Sequence, residues 1–163
     1  MNHLEYKKAA KRHLSTCDFI LRKLDEIKPT QSHVDFLLNV YYLSGYIIEC
    51  TLKYAIFKRY NHIYKDVETF DKKGVRYEEN LKIHSIPRLI EELRRIDRDL
   101  PQETLVITSV TNNEIKKLIN SWSVDLRYTD IQLKEKKITL DFDVLSTYFN
   151  TIKDFNVKIT NRY

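Results

Sequence analysis

Residues 41–57 read YYLSGYIIECTLKYAIF, the most apolar run in the chain. Glu49 and Lys53 nevertheless sit inside it, four residues apart, and Gly45 lies near its centre. The run belongs to a helix expected over about 32–59, apolar nearly all round, which is the pattern of a central, buried helix rather than a surface one. At about 100° per residue, Asn39, Tyr42, Tyr46, Glu49 and Lys53 share one narrow arc, with Leu37, Tyr41, Ile48, Leu52 and Ala55 opposite. A Glu-to-Lys pair at this spacing contributes roughly 0.2–0.5 kcal/mol on an exposed helix, too little to offset desolvating two charges. Either the stripe borders a groove or the pair meets further partners, and the residues leave both open. Gly45 costs about 1 kcal/mol against alanine inside a helix, and close packing of a neighbour is the simplest compensation.

The rest of the chain supplies helices to surround that rod. Helix one is expected over 4–27, with Leu4, Ala10, Leu14, Cys17, Leu21, Leu24 and Ile27 at helical steps and a basic patch of Lys7, Lys8, Lys11 and Arg12. Pro29 breaks it, and Thr30 or Ser32 can cap the next. Helix three spans about 85–99, with Ser85 as cap and Pro87 in the first turn; its alternating Arg88, Glu91, Glu92, Arg94, Arg95, Asp97, Arg98 and Asp99 read as a solvated face. Helix four runs from about 112 to 127, capped by Asn112, and helix five covers about 141–158, with KITLDF before it a possible extended piece. Residues 60–82 lack a long helical period. Such a stretch is functional, mobile or built on a short element of its own. Its Lys72, Lys73 and Arg76 interleave with Tyr60, Tyr64, Phe70 and Tyr77, which suits single-stranded nucleic acid or, more plainly, tucks the segment onto the bundle.

With 163 residues, two glycines and three prolines, the expected fold class is all-α, an up-and-down bundle of four to five helices in a single domain over 1–163, with an irregular insertion at about 60–82. Residues 1–14 lack an apolar core segment, so no signal peptide is expected. Charges inside 34–57, at about 2.5–3.5 kcal/mol each in mid-bilayer, argue against a membrane helix. Cys17 and Cys50 show no metal spacing and fit a reduced, cytoplasmic protein. The net charge of +5 hints at an anionic partner, although the Lys, Ile, Asn and Tyr bias of AT-rich coding produces the same excess. No phosphate-cradling glycine loop, cofactor motif or nucleophile elbow is present.

Two further stretches carry candidate partners for the stripe. His84 stands in KIHSIPRLIEEL, before helix three, and Arg127, Tyr128 and Asp130 end SWSVDLRYTD, after helix four. Together with YYLSGYIIECTLKYAI, these resemble the HEPN superfamily, small helical nucleotide-associated domains: an apolar helix with Gly then Glu-Cys-x-Leu-Lys, a His before an apolar helix, and a Trp followed by Arg-Tyr. The resemblance implies a homodimeric bundle acting on nucleotides or RNA, commonly in toxin–antitoxin or phage-defence modules beside a nucleotidyltransferase partner. It implies Glu49, Lys53, His84, Arg127 and Tyr128 as the ligand-binding groove. Catalytic members carry an Arg followed by a His after four to six residues. Here the histidines stand at 3, 13, 33, 62 and 84, none with an Arg at that spacing. The expectation is therefore a non-catalytic nucleotide- or RNA-binding module, with Lys53 and Arg127 on phosphate. The alternatives are a metal-independent RNase of unusual geometry, with His84 as base, and a structural or dimerisation protein.

Overall fold

The computed structural model describes residues 1–27, 33–127 and 131–163. The fold is an all-α helical bundle. Its helices are α1 (His3–Ile27), α2 (Val34–Arg59), α3 (Ile86–Ile96), α4 (Asn113–Ser121), α5 (Ile131–Glu135) and α6 (Phe142–Arg162). The expected caps at Thr30 and Ser32 lie outside the described residues.

As its all-round apolarity requires, α2 is the axis. Every residue from Ile47 to Phe57 is buried, Glu49 and Lys53 included. Against it α1 runs antiparallel: His13 meets Tyr46, Tyr6 stacks on Phe57 at 5.8 Å, and His3 lies over Tyr54. On another side α6 packs through Tyr148 on Tyr41, ring centroids 5.6 Å apart, and through Asn156 Nδ2 donating to Thr51 Oγ1 at 2.6 Å. The third wall is α3, which buries Ile86, Leu89, Ile90 and Leu93. Pro87 sits in its first turn, but Ser85 takes the cap position without a side-chain cap bond. Asn112 caps α4 by accepting from the N–H groups of Glu114 and Ile115, and Asp141 caps α6 the same way through Asp143 and Val144.

Residues 60–82 hold short elements of their own. A 3-10 turn at Val67–Thr69 leads into a two-residue hairpin, Asp71–Lys72 (β1) with Val75–Arg76 (β2), and then a π turn at Tyr77–Leu81. Lys73 and Gly74 both take positive φ, the requirement of a tight hairpin turn. Tyr60, Phe70 and Tyr77 are buried, so the aromatics fasten this segment to the bundle.

Two expectations are corrected. Helix four stops at Ser121, because Trp122 turns to an extended backbone (φ −66°, ψ 137°); a separate 3-10 turn, Val124–Arg127, follows. Asp97 is not on a solvated face: it is buried and accepts from Arg162 and from the Tyr163 hydroxyl, with Arg59 at 3.7 Å. Residues 138–140 pair into no strand, and Asp141 after them is extended (φ −105°, ψ 145°); α5 and a 3-10 segment at Gln102–Thr108, burying Leu105 and Ile107 toward α6, are additional elements.

Candidate functional site

The site is built around Gly45. A Cβ there would lie 2.0 Å from Trp122 Cε2 and Nε1, so only glycine lets the indole rest on α2. In that position Trp122 Nε1 donates to the Tyr42 carbonyl at 2.9 Å. This contact ends α4 and aims the following 3-10 turn back at α2. Arg127, at the end of that turn, then donates from Nε to the Tyr42 hydroxyl at 2.9 Å, with its guanidinium 5.9 Å from the Tyr42 ring.

From Tyr42 a polar line runs down the arc of α2. The Tyr42 hydroxyl donates to that of Tyr46 at 3.2 Å, and the two rings stand edge to face at 5.1 Å. The Tyr46 ring is also edge-on to Trp122 at 5.3 Å and to His84 at 6.2 Å, with His13 on α1 at 5.9 Å. Next comes Glu49, with both oxygens engaged: Oε1 accepts from Lys53 Nζ at 2.7 Å and Oε2 from His84 Nδ1 at 2.9 Å. Lys53 lies 5.7 Å from the Tyr6 ring centroid, and the Tyr6 hydroxyl bonds that of Tyr77.

The two ends of this line differ in exposure. Glu49 and Lys53 are each 3% exposed. His84 has about half its side chain in solvent, and Arg127 is exposed. The buried pair therefore does meet a further partner, and that partner opens onto the surface. Because a carboxylate only accepts, the Glu49 bond places a proton on His84 Nδ1. Nε2 has no hydrogen-bond partner in the structure described, so it points a single acceptor, or after protonation a donor, away from the buried pair.

No family model, curated protein or solved structure matches this chain. The site's chemistry must be read from its own residues. Burial, then the charge of Glu49, pushes the Cys50 thiol up to about 12, so it offers no thiolate nucleophile near neutral pH. Burial also raises the Tyr46 phenol, helped by its bond to Tyr42 and by Glu49. His13 is held below its usual range by burial and by Arg12. Among the described residues no group of His, Cys, Asp and Glu side chains is arranged to hold a metal ion, and no helix is long and apolar enough to cross a membrane.

Of the residues expected to act together, the structure joins Glu49, Lys53 and His84 directly and attaches Arg127 through Tyr42 and Tyr46. Tyr128 and Asp130 lie outside the described residues. Asn39, on the same arc, is exposed at its far end. Sequence reasoning missed His13, which sits three residues after buried Ala10 on the inward side of α1. It also missed the indole over Gly45. A lone glycine in an apolar helix and a lone tryptophan in the chain were the available signals.

Proposed function

We propose that the chain is a HEPN-like, non-catalytic module that binds a nucleotide or RNA at the surface formed by His84 and Arg127. The observation that carries this reading is a buried carboxylate–ammonium pair that holds a half-exposed histidine on its second oxygen, with the Tyr46 and Tyr42 hydroxyls leading on from it to an exposed arginine. A purely structural pair has no need of a half-exposed imidazole on its second oxygen. Arg127 supplies a planar cation suited to phosphate oxygens. His84 Nε2 accepts from a ribose hydroxyl. Lys53 is too deep to touch a ligand. It acts through Glu49, holding the carboxylate that in turn holds the His84 ring. The net charge of +5 favours an anionic ligand. The homodimer and a nucleotidyltransferase partner complete the proposal as what the resemblance implies.

Titration of a labelled single-stranded RNA and of free nucleotides tests this. His84→Ala and Arg127→Ala should each weaken binding by about tenfold, the loss of one hydrogen-bonded contact to the ligand. Wild-type affinity in both variants would remove the site.

The Glu49–His84 bond also favours one second reading. An imidazole oriented by a carboxylate, with its other nitrogen toward solvent, is the arrangement of a general base. Here His84 Nε2 would take the proton of a ribose 2′-hydroxyl, whose oxygen attacks the adjacent phosphorus while the P–O5′ bond breaks and the 5′-oxygen takes a proton from solvent water. RNA cleavage in excess chelator that disappears in His84→Ala supports this reading, and cleavage indifferent to that substitution removes it.

A further inference from the structure

Tyr64 gains little from its neighbours. It is 74% exposed, and its backbone is left-handed, with φ 59°. A bulky L residue in that region is a conformational outlier, and glycine or asparagine would take the turn with less strain. Burial does not offset that strain, yet the residue is held firmly. Its N–H donates to Nδ1 of buried His3 at 3.2 Å, and the His3 ring meets the Tyr64 ring edge-on at 5.5 Å. His3 in turn lies parallel to Tyr54, ring centroids 5.9 Å apart and planes 11° from each other.

Three lysines lie along this ladder. Lys7 Nζ stands 5.0 Å from the centre of the Tyr54 ring. The charge of Lys58 reaches His3. Lys65 follows Tyr64 and is exposed. Asp66, two residues beyond Tyr64, is engaged by the N–H of Glu68 and by the ammonium of Met1. An exposed aromatic ring anchored through its backbone, with lysines along the same aromatic ladder, is an arrangement that can stack a base and meet its flanking phosphates.

We propose that Tyr64, with Lys7, Lys58 and Lys65, is a stacking site for a base of single-stranded nucleic acid. It is separate from the His84–Arg127 surface and does not rest on that reading. On α1, His3 serves the Tyr64 site and His13 contacts Tyr46, so about 15 Å of helix separates the two.

The test is anisotropy of a short fluorescein-labelled oligouridylate titrated with the full chain, at several salt concentrations. Tyr64→Gly removes the ring and relieves the backbone. Its thermal midpoint should equal or exceed that of wild type while its affinity falls by about tenfold. Tyr64→Phe, which keeps the stacking face, should retain binding. Lys7→Ala should flatten the slope of log affinity against log salt by about one. A duplex of matched sequence should bind with no dependence on Tyr64. The proposal falls if the wild-type chain does not bind the single strand, or if Tyr64→Gly binds it as tightly as wild type. Running Arg127→Ala in the same assay keeps the two sites apart: loss there with no loss at Tyr64 removes only the stacking site, and the converse removes only the His84–Arg127 site.

Discussion

Replacing Gly45 with alanine tests the architecture of the site directly. On helix propensity alone the change should stabilise α2 by about 1 kcal/mol. The structure opposes this. The new methyl carbon would stand 2.0 Å from two atoms of the Trp122 ring and 2.2 Å from a third, and the ring must retreat to at least 3.4 Å to restore ordinary contact. An indole has no flexible end to yield, so it moves as a unit or α2 bends. Overpacking of this kind costs about 1–3 kcal/mol, and the lost bond to the Tyr42 carbonyl adds about 1 kcal/mol. After the propensity gain, the net destabilisation is about 1–3 kcal/mol, or roughly 3–10 °C in the melting midpoint of a chain this size. Circular dichroism gives the midpoint. Because Trp122 is the only tryptophan, its emission reports the displacement with no label. The double variant Gly45→Ala/Trp122→Ala should be far from additive, since the clash disappears with the ring. An alanine variant as stable as wild type, with unchanged emission, would refute the idea that Trp122 is seated by Gly45.

Two further outcomes follow from the buried groups. Glu49→Ala leaves the Lys53 ammonium buried beneath Tyr6 without its carboxylate and should cost about 3–5 kcal/mol, read from the urea midpoint; a loss under about 1 kcal/mol would mean the pair is not sealed. Burial, with the charges of Lys58 and His62, holds His3 below its ordinary value, and burial with Arg12 does the same for His13. The unfolded chain therefore binds more protons below about pH 6.5. Stability should be full above that pH and fall as pH drops through the lowered folded values, with His3→Gln reducing the dependence; stability flat from pH 7 to pH 5 would contradict it.

The parts of this structure legible in the sequence are those set by local periodicity. An apolar rod with one polar arc could be placed at the centre because its pattern requires burial on every other side, and the arc does carry Tyr42, Tyr46, Glu49 and Lys53 in line. The break after Ser121 was not legible. Residues 113–127 keep a helical spacing of apolar side chains, and what stops the helix is a contact with α2, 80 residues away in sequence. Asp97 misled for a related reason. Charges alternating along α3 look like a wet surface, and only α6 returning with Arg162 and Tyr163 makes the position a buried one. For the site, sequence could nominate Glu49, Lys53, His84 and Arg127 but not their order. That His84 sits on the second oxygen of Glu49, and that two tyrosines lie between Arg127 and the pair, are products of tertiary packing.

The Asp97 cluster also bears on when this chain can fold as it is made. Asp97 takes its closest bonds from residues 65 and 66 positions downstream, Arg162 and Tyr163. Upstream, Arg59 stands at 3.7 Å. While the ribosome is still producing the segment after α3, burying that carboxylate would cost more than it returns, because its main donors do not yet exist. The α1–α2 pair, whose contacts are local, can assemble early. The end of α3 has reason to stay hydrated until α6 has emerged in full. The last turn of α6 thus acts as a latch, closing over the end of α3 only after α1 to α5 have been made.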